Sequence, residues 1–536
     1  MRNSIKSLLL TLVILSSYNA SYSAVFSESA FLPLHNSKSA YTPTVAYGND
    51  VFLAAWQSGR LQPGDLRLGP VYRSSLVFCR IDTLGNVLDD IPVVVADTID
   101  LKESPKVVFG GGLFFLVWQD IRNGVDWDVY GSRISADGMV QDPNGFLISG
   151  GTHNQAYPRV AWDGTNFNVV WQDARSGSAY EVYMARVSPG GVVLEPEGIK
   201  VASGLASNLN PAIAAGGGDS LLVFSIGGNA NFKENFYSNV SNTRGMFVSN
   251  GNVGTAPAYT VGSSGLKPTG GNLPIALAHG ANGYLLAWQN EAPFGRGNDM
   301  TKNNMSIFDG AVNRVKDLHV GYYAVDVKRI IKPDIAWDGS DYAVVWDEIS
   351  KRSNQDIEFN KVCVAVISDT GAMVVPETLV AGVSTAPALN ACVAAASNGR
   401  KLIAYEQQPS VVGTPVMIGY RMLDNGGLTG IDLSQENQGA VFSLSPNPFN
   451  PSVSVLLRIT DKDGFAGKKW DRMLAVYDIH GKRVASLEPS SISNNSNQQV
   501  TYAWQWNAKQ SASGTYVIRV NAGNGKTLTR KMILMR

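Results

Sequence analysis

Two acidic pairs in this 536-residue chain are the plausible acid pairs for catalysis, Asp126 with Asp128 and Asp347 with Glu348. Carboxylates held about 5–10 Å apart can act as acid and base, or acid and nucleophile, on a glycosidic bond. A second constellation is Gln-Asp-x-Arg, at Gln119-Asp120-Ile121-Arg122 and Gln172-Asp173-Ala174-Arg175, approximated by Gln57, Ser58 and Arg60. A carboxylate and a guanidinium two residues apart at a strand end could line a polar ligand ring. The group recurs from repeat to repeat, however, and a position wanted by several repeats reads as serving the repeat. There the Asp would accept turn N–H groups and the Arg would pair locally. His35, His153, His279, His319 and His480 are scattered, with no HExxH or paired spacing. Cys79, Cys363 and Cys392 lie in the apolar runs LVFCRI, KVCVAVI and ACVAAA, and read as buried small hydrophobes. No G-x-S-x-G elbow occurs. The sequence therefore assigns no catalytic residue, no metal ligand and no cofactor.

Ligand contacts are expected instead where a repeat is interrupted. Long connections at 57–73, 225–245 and 289–305 are rich in Asn, Gly and Arg. Phe232, Phe236, Tyr237, Phe294 and Arg296 are the candidate binding residues there. Flat apolar rings beside amide and guanidinium donors suit stacking on sugars or gripping peptides. The alternative is that these aromatics pack only their own loops.

The elements that must position these groups are repeats. TPTVAYGNDVFLAAWQSGR, SPKVVFGGGLFFLVWQDIR, YPRVAWDGTNFNVVWQDAR, NPAIAAGGGDSLLVFSIGG, LPIALAHGANGYLLAWQNE and KPDIAWDGSDYAVVWDEIS align, and ACVAAASNGRKLIAYEQQP is a degenerate seventh copy. The opening proline precedes the closing aromatic by a near-constant step, from Pro43 to Trp56 and onward, and Cys392 stands in the proline position of the last copy. Each copy reads as four antiparallel strands: a Val/Ala run, a Gly/Asn/Asp turn, a continuously apolar strand, an alternating strand and a short closing one. The expected fold is all-β, a seven-bladed β-propeller at 24–432. Trp56, Trp118, Trp171, Phe224, Trp288, Trp346 and Tyr405 should be buried between blades. The last copy lacks a clear fourth strand, and Phe31-Leu32-Pro33-Leu34 aligns with Phe146-Leu147-Ile148-Ser149. The N-terminal segment is therefore expected to supply the last blade's outer strand and remove an open edge; the competing candidate for that strand is LTGIDLS, 428–434.

These copies resemble the repeat of a family of bacterial extracellular propellers, [VI]-A-[YW]-x-G-x-x-[FY]-x-[VA]-x-W-[QD]-[DE], over about 31–432. The resemblance implies a fold and no reaction. The S-x-D-x-G-x-T-W box of sialidase-like propellers, the W-D repeat ending and the D-x-D-x-D-G calcium loop are all missing from the sequence.

Both ends of the chain carry addresses. Arg2, Lys6, the apolar run Leu8–Leu15 and small residues at Ser21 and Ser23 read as a signal peptide at 1–23, too short for a membrane span. After a polar linker at 433–440, residues 441–536 hold 13 Lys and Arg against 5 Asp and Glu, while 24–440 hold 29 against 39. Overall the charges balance at 44 to 44, which argues against a nucleic-acid partner. The C-terminal segment reads as an immunoglobulin-like β-sandwich of short strands. Its LSPNPFNPS, LAVYDIHGKRVASL, WQWNAKQSASGTYVIRV and KMILMR resemble the C-terminal sorting domain of type IX secretion substrates, with a longer insert at 461–472. That resemblance implies the outer-membrane secretion machinery as partner, and a protein released outside the cell or held on its surface. The expected function is a binding or adhesion module for glycan or peptide. A polysaccharide-active enzyme and a purely structural surface protein are the alternatives.

Overall fold

The computed structural model describes 25–59, 73–202, 207–261, 275–289, 303–320, 328–409 and 414–424. Beyond these it describes 440–445, 452–460, 474–478, 482–488, 491–495, 499–511, 514–521 and 527–534, with gaps of a few residues inside several of these ranges. The chain divides into two compact units, 1–426 and 427–536. The proposed signal peptide at 1–23 and the segment 428–434 lie outside the described residues.

The first unit is all-β. Among the described residues it contains seven antiparallel sheets of four or five strands, and each follows the chain as a meander. The first sheet runs Ala40–Gly48, Val51–Ser58, Ser75–Asp82 and Val93–Ala96. The next five begin at Lys102–Gly110, Gln155–Trp162, Ser207–Gly216, Ile275–His279 and Lys328–Trp337. The seventh begins at Ala388–Ala395 and continues through Lys401–Gln407 and Met417–Asp424. Its outer edge is filled from the other end of the chain. Val25 pairs with Asp424 and Phe26 with Leu423, and Ala30 pairs with Tyr420 and Phe31 with Gly419.

The opening strands of successive sheets touch one another in order, and the opening strand of the seventh touches that of the first. The contacts therefore form a closed cycle around a common axis. Four strands per sheet suit this arrangement, because each sheet can bury both faces against its neighbours.

The repeated aromatics sit in those inter-sheet layers. Trp118 packs with Leu53, Phe78 and Leu76 of the preceding sheet, and Trp171 with Phe115, Val117 and Ile148. Trp56, Trp346 and Tyr405 are likewise buried against the preceding sheet, while Trp288 is half-buried. The Phe224 side chain lies outside the described residues. Glycine is required where the layers close: a Cβ on Gly110 would stand 2.2 Å from the Trp162 ring, and one on Gly145 2.3 Å from Trp118. Cys79, Cys363 and Cys392 are free and buried.

One alignment needs correcting. Cys392 pairs with Ala404 as Thr44 pairs with Ala55, so Ala391, not Cys392, occupies the proline position of the seventh copy. The turn at 396–400 joins Ala395 to Lys401, whereas Gly48 pairs with Val51 across a two-residue turn, and the longer turn shifts the spacing to the aromatic by one.

The second unit holds two four-stranded antiparallel sheets. Trp506 of one meets Tyr516 of the other edge-on, with ring centroids 5.1 Å apart, and Leu474, Val476, Trp504 and Ile518 are buried with them. Among the described residues no helix is long and apolar enough to cross a membrane.

Candidate functional site

The Gln-Asp-x-Arg groups are structural. Asp120 is fully buried, and its Oδ2 accepts from the Trp118 indole N–H at 3.0 Å while Arg122 pairs with it from outside. The Arg122 guanidinium then lies 3.8 Å above the Tyr130 ring. Asp173 repeats the arrangement with Trp171 at 2.8 Å and with Arg175, which lies 4.3 Å above Tyr183. Each buried carboxylate is thus satisfied by its own indole and guanidinium, as a buried charge must be.

The Gln of the same group works between sheets. Six of the opening strands have a bulge at the proline, or at Ala391 in the seventh sheet, where Thr42, Ser104, Tyr157, Asn210, Lys332 or Asn390 adopts φ between +47° and +55°. Such a backbone costs on the order of 1–3 kcal/mol per residue unless its surroundings fix it. The bulge turns a backbone N–H toward the previous sheet. Gln119 Oε1 accepts from Tyr157 N at 2.8 Å, and Gln172 Oε1 from Asn210 N at 2.7 Å. In the sixth and seventh sheets a carboxylate replaces the amide. Asp347 accepts from Asn390 N at 2.7 Å and Ala391 N at 3.1 Å, and Glu406 accepts from Thr42 N at 2.6 Å, tying the last sheet to the first.

A second tie was not legible as one beforehand. Arg80 with Asp89, Arg133 with Asp142 and Arg186 with Glu195 pair nine residues apart at 2.7, 2.8 and 2.5 Å. Arg80 and Arg133 also reach Ala136 O and Pro189 O of the following sheet. The constant spacing R-x8-[DE] was its signal.

The carboxylates of Asp347 and Glu348 turn to different partners. Adjacent residues on a strand point to opposite faces. Asp347 accordingly turns to the next sheet's bulge, whereas Glu348 turns to Lys361, 3.7 Å away, and to the Cys363 thiol at 4.0 Å. Glu377 joins this second group, with ligand atoms within 4.8 Å, and Lys361 supplies its counter-charge. Asp126 accepts from His153 N at 3.1 Å, and Asp128 from the Asn123 amide at 3.0 Å.

Burial pushes the Asp347 carboxyl up to about 6, against the favourable pull of Lys332 and of two backbone N–H groups. The folded state then holds this proton more tightly than the unfolded chain does. Through this group, stability falls as pH rises from about 4 to about 6. Asp347→Asn keeps an acceptor for Asn390 N and removes the charge. It should leave stability at pH 7 within about 2 kcal/mol of the parent, the removed buried charge offsetting the acceptor lost to Ala391 N. The pH slope between 4 and 6 should flatten, as read by urea unfolding at several pH values. A large loss at pH 7 with the slope intact would contradict this assignment.

One register position of the opening strands carries charges that do not repeat. Thr44, Lys106, Arg159, Ala212, Asp334 and Cys392 hold one register position, each pairing with the residue before the repeated aromatic. Their side chains turn toward the next sheet: Thr44 Oγ1 accepts from Val107 N at 3.3 Å, and Asp334 Oδ2 from Val393 N at 3.0 Å, each on the next opening strand. Lys106, Arg159 and Asp334 are half-buried there. Burial pulls both cations below their usual ranges, and Asp334 opposes it for each. Sequence reasoning passed over these residues, although the one after the repeated proline is the position that changes from apolar to cationic to acidic.

Phe232, Phe294 and Arg296 lie outside the described residues. Phe236 and Tyr237 form a short strand paired with Ala230–Asn231, and their side chains also lie outside the description.

Residues 443–535 match the family described as the secretion system C-terminal sorting domain. No curated protein matches the chain. Among solved structures, an alpha-L-arabinanase of Penicillium chrysogenum is similar at 13% identity and a TM-score of 0.40, over 65% of this chain and 99% of that one. A Dyadobacter fermentans protein of unknown function is similar at 12% identity and a TM-score of 0.40, over 75% and 99%. An endo-arabinase of Bacteroides thetaiotaomicron is similar at 12% identity and a TM-score of 0.32, over 55% and 99%. The chain carries a type IX sorting domain and is an exported protein, destined for the cell surface or the medium.

Proposed function

We propose that this exported chain is a seven-bladed β-propeller at 31–432, latched by its N-terminal strands, whose task is to bind an extracellular glycan or peptide. A signal peptide at 1–23 takes it across the inner membrane, and an immunoglobulin-like sandwich at 441–536, after a linker at 433–440, takes it across the outer one. The closed cycle of opening strands and the pairing of residues 25–31 on the seventh sheet support the ring. Supporting a binding role is one observation above the others. The repeated polar residues are tied between sheets, while one register position of the opening strands changes from Lys106 to Arg159 to Asp334 from sheet to sheet. Phe232, Phe236, Tyr237, Phe294 and Arg296, on the long connections of the fourth and fifth copies, are proposed to extend the binding surface. A glycan array run beside a polysaccharide hydrolysis screen, both on the full secreted protein, tests this reading. Retention of a glycan without its cleavage is expected. Turnover would make the protein an enzyme, and no retention of any glycan or peptide would leave a structural role.

A further inference from the structure

The sixth sheet departs from the repeat at one side-chain cluster. In the second and third sheets the indole N–H donates to the carboxylate two residues on, Trp118 to Asp120 and Trp171 to Asp173. An arginine completes each group, and Tyr130 or Tyr183 on the third strand pairs with the tryptophan. In the sixth sheet Glu348 takes the place of the aspartate, Ser350 that of the arginine and Cys363 that of the tyrosine. Glu348 is 1% exposed, yet its carboxylate turns from the indole toward Lys361 and Cys363. Trp346 is fully buried, and among the described residues its N–H meets no acceptor. By the register of its counterparts, that N–H points at the space beside Glu348. The Trp56 N–H shares this condition, but there the residue two on is Ser58, whose hydroxyl donates to His35 O. In the sixth sheet a carboxylate is present and is drawn into another group. Cys363 Sγ stands 4.0 Å from Glu348 Oε2, and Glu377 joins them, the three ligand atoms lying within 4.8 Å of one another.

We propose that Glu348, Cys363 and Glu377 form a zinc site, with the Lys361 ammonium as the internal competitor that the ion displaces. Tetrahedral zinc, with Zn–S of about 2.3 Å and Zn–O of about 2.1 Å, sets sulfur and oxygen roughly 3.6 Å apart. The 4.0 Å between Cys363 and Glu348 closes to that by a small side-chain rotation. A thiolate beside carboxylates selects zinc over calcium and magnesium, which take oxygen ligands. As the Zn–S bond forms, the thiol proton passes to solvent. Lys361, 3.7 Å from Glu348 with its side chain 25% exposed, can swing outward. Glu377 is half-buried and gives the ion its way in. Three protein ligands leave the fourth position to water. That water, or a zinc-bound carboxylate oxygen, supplies the acceptor for the Trp346 N–H, an outer contact of the kind that orients metal ligands. This inference goes beyond the binding role proposed above and does not depend on it.

Titration of the full secreted protein, kept reduced, with cobalt(II) tests the site, because a thiolate ligand gives a sulfur-to-cobalt charge-transfer absorption. A single equivalent should produce that band, zinc should abolish it, and excess calcium should leave it in place. Cys363→Ser should remove the band. Glu377→Gln, at a half-exposed position, should weaken zinc at least tenfold with the metal-free melting temperature unchanged. Lys361→Met removes the competing ammonium and should tighten zinc severalfold. That gain runs opposite to what a damaged fold would give, so it separates a site from a structural role. Absence of the band, a band that survives Cys363→Ser, or zinc affinity indifferent to both Glu377→Gln and Lys361→Met would overturn the site. Should Cys363→Ser fail to fold, the Glu377 and Lys361 variants decide the matter.

Discussion

A chain lacking residues 24–36 should unfold at a clearly lower temperature, with a loss of about 3–6 kcal/mol. These residues complete the seventh sheet. Leu32 is 3% exposed and packs in the layer that also holds Trp56 and Tyr420, while Phe26 packs beside Leu423 in the layer behind it. Burying two large apolar side chains accounts for most of the figure, at about 1.5–3 kcal/mol each. Backbone bonds add to it: Ser27 N to Met422 O and Leu32 N to Ile418 O, both at 2.9 Å. Arg421 donates to Ser27 O at 2.9 Å and lies 5.0 Å above the Phe26 ring. Without the segment, Met417–Asp424 becomes an open edge, and an open edge invites pairing between molecules. Calorimetry beside light scattering on both forms would read the two effects. An unchanged transition in the shortened chain would contradict the latch, and Leu32→Ala should fall between the two.

How much of this was legible beforehand depended on range. The Pro-to-Trp spacing exposed the repeat because two local demands fix it. The proline must sit at the bulge, and the indole must reach the layer between sheets. Where one turn lengthened, at 396–400, the same spacing misled by one residue. The Asp of Gln-Asp-x-Arg was readable as structural because its partners, Trp118 and Arg122, lie within two residues of it. The Gln was not, because its partner is the Tyr157 N–H 38 residues away and donates only after a bulge of positive φ has turned it. Lys106, Arg159 and Asp334 were least visible. Nothing local relates them, and only closure of the ring brings their strands around one axis. Asp347 and Glu348 failed as a pair for a simpler reason, since adjacent residues on a strand diverge.

Export divides from the proposed binding role along the chain, and that division is the central claim. The sorting match covers 443–535, the two compact units part near 426, and the ring has its own buried layers. A unit with a complete core should fold without its neighbour. Deleting 441–536 in the native host, then following the ring by immunoblot of periplasm, cell surface and medium, measures the claim directly. The account predicts a folded, protease-resistant ring held in the periplasm, with its amount outside the cell reduced at least tenfold. A truncated ring that reached the surface or the medium in the parent's amount would contradict it.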